Sequence, residues 1–348
     1  MLAPEVALRL TAARALVDAA AHEDRPVYGV TTGLGANKDA TLPFEDCADV
    51  QRRIVMARAV AVGPPLPRDV VRAILLARAG AMAVGGSGVS PAVLEALVAM
   101  LNAGVAPIVP CWGSVGAGDL GLLAALSLPL FGLGEAEFAG ERLPGAQAMK
   151  RAGLAPVALG PKDGLALVSA NAASAGHGAL VLWHALAALD AVTSAAALSM
   201  EGFRANLSPL DPRAQAARPA PGQADAAARL RELLDGNALW NAGGARSFQD
   251  PLSFRCASQI HGAALAAIRH AERAVVTELN SAGDNPLVLA EERTILHTGN
   301  FHVAALAQGF DLVAIALAHV AASAAERVIK LLSPAHSGLP LHLTPHGP

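Results

Sequence analysis

The sequence predicts an all-α protein built from long helices, with its functional site carried on loops at the helix ends. Three observations lead to this fold class. Alanine-rich stretches with apolar residues at helical spacing occupy most of the 348 residues. No apolar–polar alternation typical of a strand reaches a useful length. Glycine- and proline-rich segments separate the helical stretches, and such loops often carry functional residues above a rigid scaffold.

Ten predicted helices follow from this spacing and from the capping residues and prolines that punctuate it. They cover residues 4–22, 45–62, 68–84, 91–103, 119–133, 145–152, 164–201, 224–235, 255–278 and 300–332. Short helices give way to long ones near Lys162. We therefore predict a loop-rich N-terminal region, residues 1–161, and a long-helix C-terminal region, residues 162–348.

Composition limits the partners of the protein. Hydrophobic residues make up 53% of the chain, charged residues 16%, and the net charge is −3 without a basic cluster. This pattern argues against nucleic acid as a partner. Two apolar runs, 177–200 and 303–325, are each interrupted by a histidine and an aspartate, which are costly in lipid. We therefore expect no membrane association, and we expect the apolar helices to pack in a bundle or a homo-oligomer.

Three widely spaced cysteines, Cys47, Cys111 and Cys256, form neither a CxxC motif nor an even disulfide set. Free thiols of this kind are typical of a cytoplasmic protein. The histidines lack a dependable metal-ligand spacing, so we expect no metal ion.

Six segments carry a resemblance to one known family, in its order along the chain. Residues 28–35 read Tyr-Gly-Val-Thr-Thr-Gly-Leu-Gly, and residues 160–167 read Gly-Pro-Lys-Asp-Gly-Leu-Ala-Leu. The others are Gln-Asp-Pro at 249–251 leading into Ser-Phe-Arg-Cys at 253–256, Asp-Asn-Pro-Leu at 284–287, Gly-Asn-Phe-His at 299–302 and Ser-Gly-Leu-Pro at 337–340. These segments resemble the aromatic amino acid ammonia-lyases and their aminomutase relatives. The resemblance implies an all-α bundle that assembles as a homotetramer and acts on a small-molecule substrate.

The loop at 113–120 departs from the family pattern. It reads Gly-Ser-Val-Gly-Ala-Gly-Asp-Leu, whereas the family loop reads Gly-Ser-Val-Gly-Ala-Ser-Gly-Asp-Leu. There the Ala-Ser-Gly segment cyclises and loses water to give methylidene-imidazolone (MIO), the electrophile of the reaction. Here Ala117 is followed directly by Gly118, so we expect neither MIO nor another cofactor. The single serine of this loop, Ser114, precedes the β-branched Val115, where ring closure needs a flexible glycine.

The resemblance also implies roles for other residues. Tyr28 stands at the position of the catalytic base. Arg255 stands at the arginine that pairs with the substrate carboxylate, a task that its planar fork suits. The implied substrate-binding residues are Gly33, Leu34, Arg58, Ser169, Asn171, Leu252, Asn300 and Phe301.

Three of these positions depart from the family. Ser169 stands at an asparagine, Leu252 at a tyrosine, and Arg58 at or beside a histidine that shapes substrate choice. We also expect the chain to be shortened at its C-terminus, without the helical extension that carries an active-site glutamate.

Each residue also has a purely structural interpretation. Tyr28 can pack at a helix end with its hydroxyl bonded to backbone, and Arg255 can tie down loop carbonyls. Arg58 can be an exposed helix arginine. Ser169 and Asn171 can be small residues that permit close helix packing.

The function we expect is an MIO-independent lyase or cyclase that performs addition or elimination next to a carbonyl. Its substrate would carry a carboxylate or carbonyl group, and a role in natural-product biosynthesis is an analogy only. Two alternatives remain open. One is an amino acid ammonia-lyase or aminomutase with an unconventional electrophile. The other is an inactive homologue that binds a small acid or an active partner subunit.

Overall fold

Helices dominate the computed structural model, which describes residues 2–23 and 26–344. In chain order they are α1 (Pro4–Ala21), α2 (Cys47–Arg58), α3 (Arg68–Ala83), α4 (Pro91–Ala103), α5 (Leu120–Ser127), α6 (Gly145–Arg151), α7 (Asp163–Val168), α8 (Ala172–Phe203), α9 (Pro212–Ala217), α10 (Gln223–Leu233), α11 (Leu252–Arg255), α12 (Ala257–Leu279), α13 (Ala304–Leu332) and α14 (Pro334–Ser337). The predicted all-α class is confirmed.

Predicted helix boundaries agree best with the structure where a proline or a glycine marks the end of the helix. α4 spans the predicted residues because Pro91 needs no N–H partner in the first turn and Gly104, at φ +77°, ends the helix. The single helix predicted for 164–201 is wrong, since the chain leaves the helix at 169–171 between α7 and α8. The helix predicted for 45–62 is too long and stops at Arg58.

Short strands are also present, although the sequence showed no alternation of useful length. Within the described residues they are β1 (Val62–Pro65), β2 (Ala106–Pro107), β3 (Pro110–Trp112), β4 (Glu135–Phe138), β5 (Glu141–Pro144), β6 (Leu287–Leu289) and β7 (Thr294–Leu296). They pair antiparallel as β1–β3, β2–β4–β5 and β6–β7. None exceeds four residues, so none leaves a readable alternation in the sequence.

The chain forms two compact units. The first comprises Met1–Leu180 and Ala274–Leu306, and the second comprises Val181–Arg273 and Ala307–Pro348. These two units are defined by contacts within the folded chain. The predicted regions 1–161 and 162–348 are defined by helix length, and the division into these regions stays a prediction.

The first unit has an aliphatic core. α3 packs against α4, and α2 and α5 pack against α7. Leu75, Leu94 and Leu123, one from each of three helices, are 0% exposed. Burial of such side chains from water is the main force that holds these helices together.

A buried ionic cluster joins two of the sequence motifs in this unit. Arg78 on α3 donates to Asp284 at 2.8 Å and to the carbonyl of Ala166. Lys162 is fully buried and donates to the carbonyl of Ser87. Burial lowers the pKa of Lys162 to about 8, while the nearby carboxylate of Asp284 opposes this shift. The segments around 160–167 and 284–287 therefore have a structural role here.

The second unit has its own core. Phe203 and Phe254 stack with ring centroids 4.2 Å apart. The buried His261 shares a hydrogen bond with Thr193 through Nδ1 at 2.9 Å. Burial lowers the pKa of His261 to about 4, and the charge of Arg327 lowers it further.

Two helical segments, Asp163–Phe203 and Ala304–Leu332, are long and apolar enough by length and composition to cross a membrane. Core helices of soluble proteins pass the same test when they are mostly buried, but here only 28% of each apolar window is buried within the chain. Trp183 and Ile315, for example, are 64% and 58% exposed. The burial expected for bundle helices would come from further copies, and the homo-oligomer remains a prediction.

Candidate active site

The loop at 113–120, which we call the degenerate loop, is held by backbone hydrogen bonds on two sides. The N–H of Gly118 donates to the carbonyl of Phe301 at 2.9 Å, and the N–H of Asp119 donates to the carbonyl of Ala170 at 2.8 Å. Ala117 also forms an isolated antiparallel bridge with His302. The first unit therefore brings together the loop and two sequence-predicted segments, around Asn171 and around Asn300.

Gly118 suits this position because of its backbone conformation. Its φ is +79°, a region that side chains with a Cβ rarely adopt. Space is not the limit, since an added Cβ would lie 3.7 Å from its nearest neighbour. The turn itself thus requires the glycine.

Asp119 is fully buried and has a role that differs from a cap on its own helix. Its carboxylate accepts from the N–H of Ser174 at 2.7 Å and from the Ser174 hydroxyl at 2.8 Å, so it caps the first turn of α8. No side-chain bond to α5, the helix that Asp119 precedes, is present. Burial raises the pKa of Asp119, and the bonds from Ser174 oppose the shift.

The residues of this loop do not fit an MIO group. Ring closure in the family uses a glycine nitrogen, and the exocyclic alkene comes from a serine that loses its hydroxyl. Ala117 carries only a methyl group and Gly118 has no side chain, so neither can lose water. The N–H of Gly118 is in addition bonded to Phe301.

The loop that carries Tyr28 is fastened to α2 and α7. Fully buried Gln51 donates to the carbonyl of Gly29 at 3.0 Å and accepts from the N–H of Leu165 at 3.1 Å. The half-buried Tyr28 accepts through its hydroxyl oxygen from the N–H of Gly35 at 2.9 Å. This is the backbone contact that the structural interpretation predicted, and it also fixes the position of the phenol oxygen.

Arg58 is the last residue of α2, and the structure corrects its interpretation as an exposed arginine, since it is half-buried. It donates to the carbonyl of Ile54 at 3.1 Å, and no ion pair is formed by it in the part of the chain that the structure describes. Burial lowers the pKa of Arg58, and negative charge at Tyr28 opposes this shift. Charge at Tyr28 therefore acts on Arg58. Gly33 and Leu34, on the same loop as Tyr28, are half-buried.

Ser169 and Asn171 lie in the break between α7 and α8. Both are buried, with 8% and 3% exposure. Asn171 is more than a packing residue, because Nδ2 donates to Glu278 at 2.9 Å and, over a longer 3.5 Å, to the carbonyl of Asn300. Sequence reasoning missed Glu278, and its only signal was a carboxylate near the end of an otherwise alanine-rich helix.

Arg255 and Leu252 belong to the second unit. They are the last and first residues of α11. Arg255 is half-buried, and Leu252 is 62% exposed. Burial raises the pKa of Asp250, while the positive charge of Arg255 lowers it. The guanidinium of Arg255 is thus close enough to a carboxylate to act on it.

Long helices whose loops carry a phenol and a glycine turn define a class of helical proteins with sites built at helix ends. The model of one family, the aromatic amino acid lyases, matches residues 1–348. The chain belongs to this family.

Individual relatives are consistent with that assignment. Histidine ammonia-lyase of Symbiobacterium thermophilum is 44% identical over 348 residues, which are 100% of this chain and 69% of the relative. Histidine ammonia-lyase of Anaeromyxobacter dehalogenans is 44% identical over 358 residues, covering 99% of this chain and 70% of the relative.

Solved structures are similar along nearly the whole chain. Ergothionase from Treponema denticola, described as an ergothioneine-degrading enzyme, has a TM-score of 0.96 at 34% identity, covering 99% of this chain and 70% of that chain. Phenylalanine aminomutase from Pantoea agglomerans has a TM-score of 0.93 at 29% identity, covering 99% and 71%.

Proposed function

We propose that this protein is an MIO-independent lyase or cyclase that acts on a small carboxylate-containing substrate. The observation that carries the proposal is the chemistry of residues 117–118. An alanine followed by glycine offers no hydroxymethyl group from which an exocyclic alkene can form by loss of water.

The missing electrophile limits the leaving group. An MIO ring activates a free amine by binding it covalently, so a lyase without the ring needs a group that departs unaided. A quaternary ammonium meets this requirement because it leaves as a neutral tertiary amine. Ergothioneine, the compound named for one of the similar structures, carries such a trimethylammonium group beside its carboxylate.

The elimination step is balanced without an additional reactant. A base takes a proton from the carbon next to the one that bears the leaving group. The C–H electron pair becomes the new double bond, and the C–N electron pair leaves with the amine. In a cyclase, the carbanion left by the same proton removal would add to a carbonyl carbon of the same substrate, the C=O π pair would move to the oxygen, and that oxygen would take back the proton.

Two residues suit the roles this step needs. Tyr28, as its phenolate, would accept the proton at an oxygen positioned by the N–H of Gly35. Arg255, which belongs to the second unit, would bind the carboxylate through its fork of donors, the role that the resemblance to the family implies.

Intact mass spectrometry tests the chemistry directly. We expect the mass of the purified protein to equal that of the translated sequence. A mass lower by the water lost in ring formation would overturn the proposal.

Paired substrates test the reaction. Histidine, phenylalanine and tyrosine are each compared with their N-trimethyl betaines, and ergothioneine is included. We expect release of trimethylamine and an unsaturated acid from a betaine, and no ammonia from the free amino acids.

The identity to histidine ammonia-lyases favours one alternative, an ammonia-lyase that makes its electrophile in another way. Ammonia release from histidine together with a reduced mass would support it. Binding of the substrates without turnover would instead favour an inactive homologue.

A further inference from the structure

The side chain of Asn171 connects helix α12 with the segment at Asn300. Its Nδ2 donates to the Oε2 of Glu278 at 2.9 Å and, less closely, to the carbonyl of Asn300 at 3.5 Å. Its Oδ1 is buried and finds no hydrogen-bond donor among the described residues. An unsatisfied buried amide oxygen carries a free-energy cost, so a donor is expected to reach it under some condition.

The contacts of Asn171 continue to the degenerate loop. Asn300 precedes Phe301, whose carbonyl accepts the N–H of Gly118. Asn171 itself follows Ala170, whose carbonyl accepts the N–H of Asp119. The two segments that flank the loop therefore meet at Asn171, and the one carboxyl group bonded to that amide is Glu278.

We propose that Glu278 is a positioning residue of the candidate active site, which holds Asn171 and through it the two segments that fix residues 117–119. Glu278 touches neither the loop nor a reacting atom in this scheme, and it acts through the amide. The inference rests on the proposed function only in treating the loop as part of the substrate site.

The proton on Glu278 decides how completely Asn171 is held. A neutral carboxyl group can donate to Oδ1 while it still accepts from Nδ2, as in a paired carboxylic acid and amide. An ionised carboxylate can only accept, and Oδ1 then stays unsatisfied. Burial raises the pKa of Glu278, the bond from Asn171 opposes this, and the carboxylate of Asp119 raises it further.

Few other charged groups could take the place of Glu278 beside Asn171. On the neighbouring elements, Arg78 on α3 and Asp284 after α12 are paired with each other. A cavity of about 10 Å³ lined by Asn171, Glu278 and Ser281 is about the size of one water molecule. Such a water would satisfy Oδ1 at every pH, which gives the competing outcome a distinct signature.

Hydrogen exchange of the full chain tests the proposal without a substrate. The readout is the protection factor of the Gly118 and Asp119 amides, corrected for intrinsic exchange, from acid to neutral pH. The variants are Glu278→Gln, which keeps the shape and supplies a permanent donor, and Asn171→Ala, which removes the amide. Glu272→Gln, at an exposed position on the same helix, is the matched control.

We expect protection in the wild type and in Glu272→Gln to fall about tenfold as pH rises through the titration of Glu278, the change that one lost hydrogen bond of ordinary strength produces. Glu278→Gln should stay protected throughout, and Asn171→Ala should be weakly protected throughout. Wild-type protection that does not change with pH, or Glu278→Gln that titrates like the wild type, would overturn the inference. Because the wild type alone is informative, misfolding of a variant leaves the test intact.

Discussion

The guanidinium of Arg78 lies 2.8 Å from the carboxylate of Asp284, and each side chain is only 1% exposed. Arg78→Met would leave the carboxylate charged and unpaired in the interior. We expect this variant to lose about 3–5 kcal/mol of unfolding free energy, measured by urea denaturation.

An exposed pair provides the control for this measurement. Arg142 and Glu135 are 55% and 49% exposed, and Arg142→Met should leave the urea midpoint unchanged. Equal midpoints for Arg78→Met and the wild type would show that the buried pair contributes nothing.

Replacing Tyr28 by phenylalanine removes the proposed base and little else. We expect kcat on a betaine substrate to fall by roughly 10²–10⁴, the usual contribution of general acid–base catalysis, with KM little changed. Circular dichroism checks that the fold persists. Since Tyr28 is the only tyrosine of the chain, no other phenol can take over, and unchanged turnover would remove Tyr28 from the mechanism.

The role of Arg255 in carboxylate binding can be tested by changing the planar set of guanidinium donors separately from the positive charge. Arg255→Met should weaken binding of a carboxylate substrate by about 10- to 100-fold, as expected for lost charge-assisted hydrogen bonds, and Arg255→Lys should recover part of it. Calorimetry with the substrate and with its carboxamide gives the comparison. If both ligands weaken equally, Arg255 is structural.

His261 makes stability depend on pH. Its pKa is lowered to about 4 in the folded protein, compared with about 6.5 in an unfolded chain. Folding therefore favours the neutral ring, and the benefit is complete above pH ~6.5 and is lost as pH falls towards 4. The total loss is at most about 3 kcal/mol.

Thermal unfolding of the wild type and His261→Leu from pH 7 to 4 isolates this contribution. The difference between the two proteins should shrink or reverse as pH falls, because only the wild type must protonate a buried imidazole. A constant difference across this range would contradict the assignment. Subtraction also removes the opposite trend from buried acids such as Asp119, whose pKa is raised.

Two helical glycines give a paired test of packing near the Tyr28 loop. A Cβ at Gly164 would collide with the backbone oxygen of Gln51, whereas a Cβ at Gly202 meets nothing within 4 Å. We expect Gly164→Ala to destabilise by about 1–3 kcal/mol because of forced overpacking, and Gly202→Ala to stabilise by up to about 1 kcal/mol. Equal shifts in melting temperature would refute the close α2–α7 contact.

Local chemistry made much of the fold predictable. The start of α4 at Pro91 and its end before Gly104 follow from properties of single residues. The break at 169–171 was missed because the apolar pattern runs through it without glycine or proline. The carboxylate of Asp119 and the start of α8 at Ser174 meet only in the folded chain, so no local pattern shows that contact.

The candidate site likewise contains residues that a sequence motif marks and one residue that no motif marks. Tyr28, Asn300 and the loop at 117–118 stand in recognisable motifs and were predicted from the sequence, and their roles stay predictions. Glu278 lies 107 residues from its partner Asn171, and nothing in its immediate neighbours distinguishes it from a surface acid.

The carboxylate of Asp119 follows the loop directly and also closes the first turn of the 32-residue helix α8. A bound compound that tightens the loop would therefore also hold the first turn of α8 more firmly. Melting temperature then becomes a practical screen for substrates. A molecule that stabilises the contact between Asp119 and Ser174 raises the temperature at which the helix unfolds, even when no product is made.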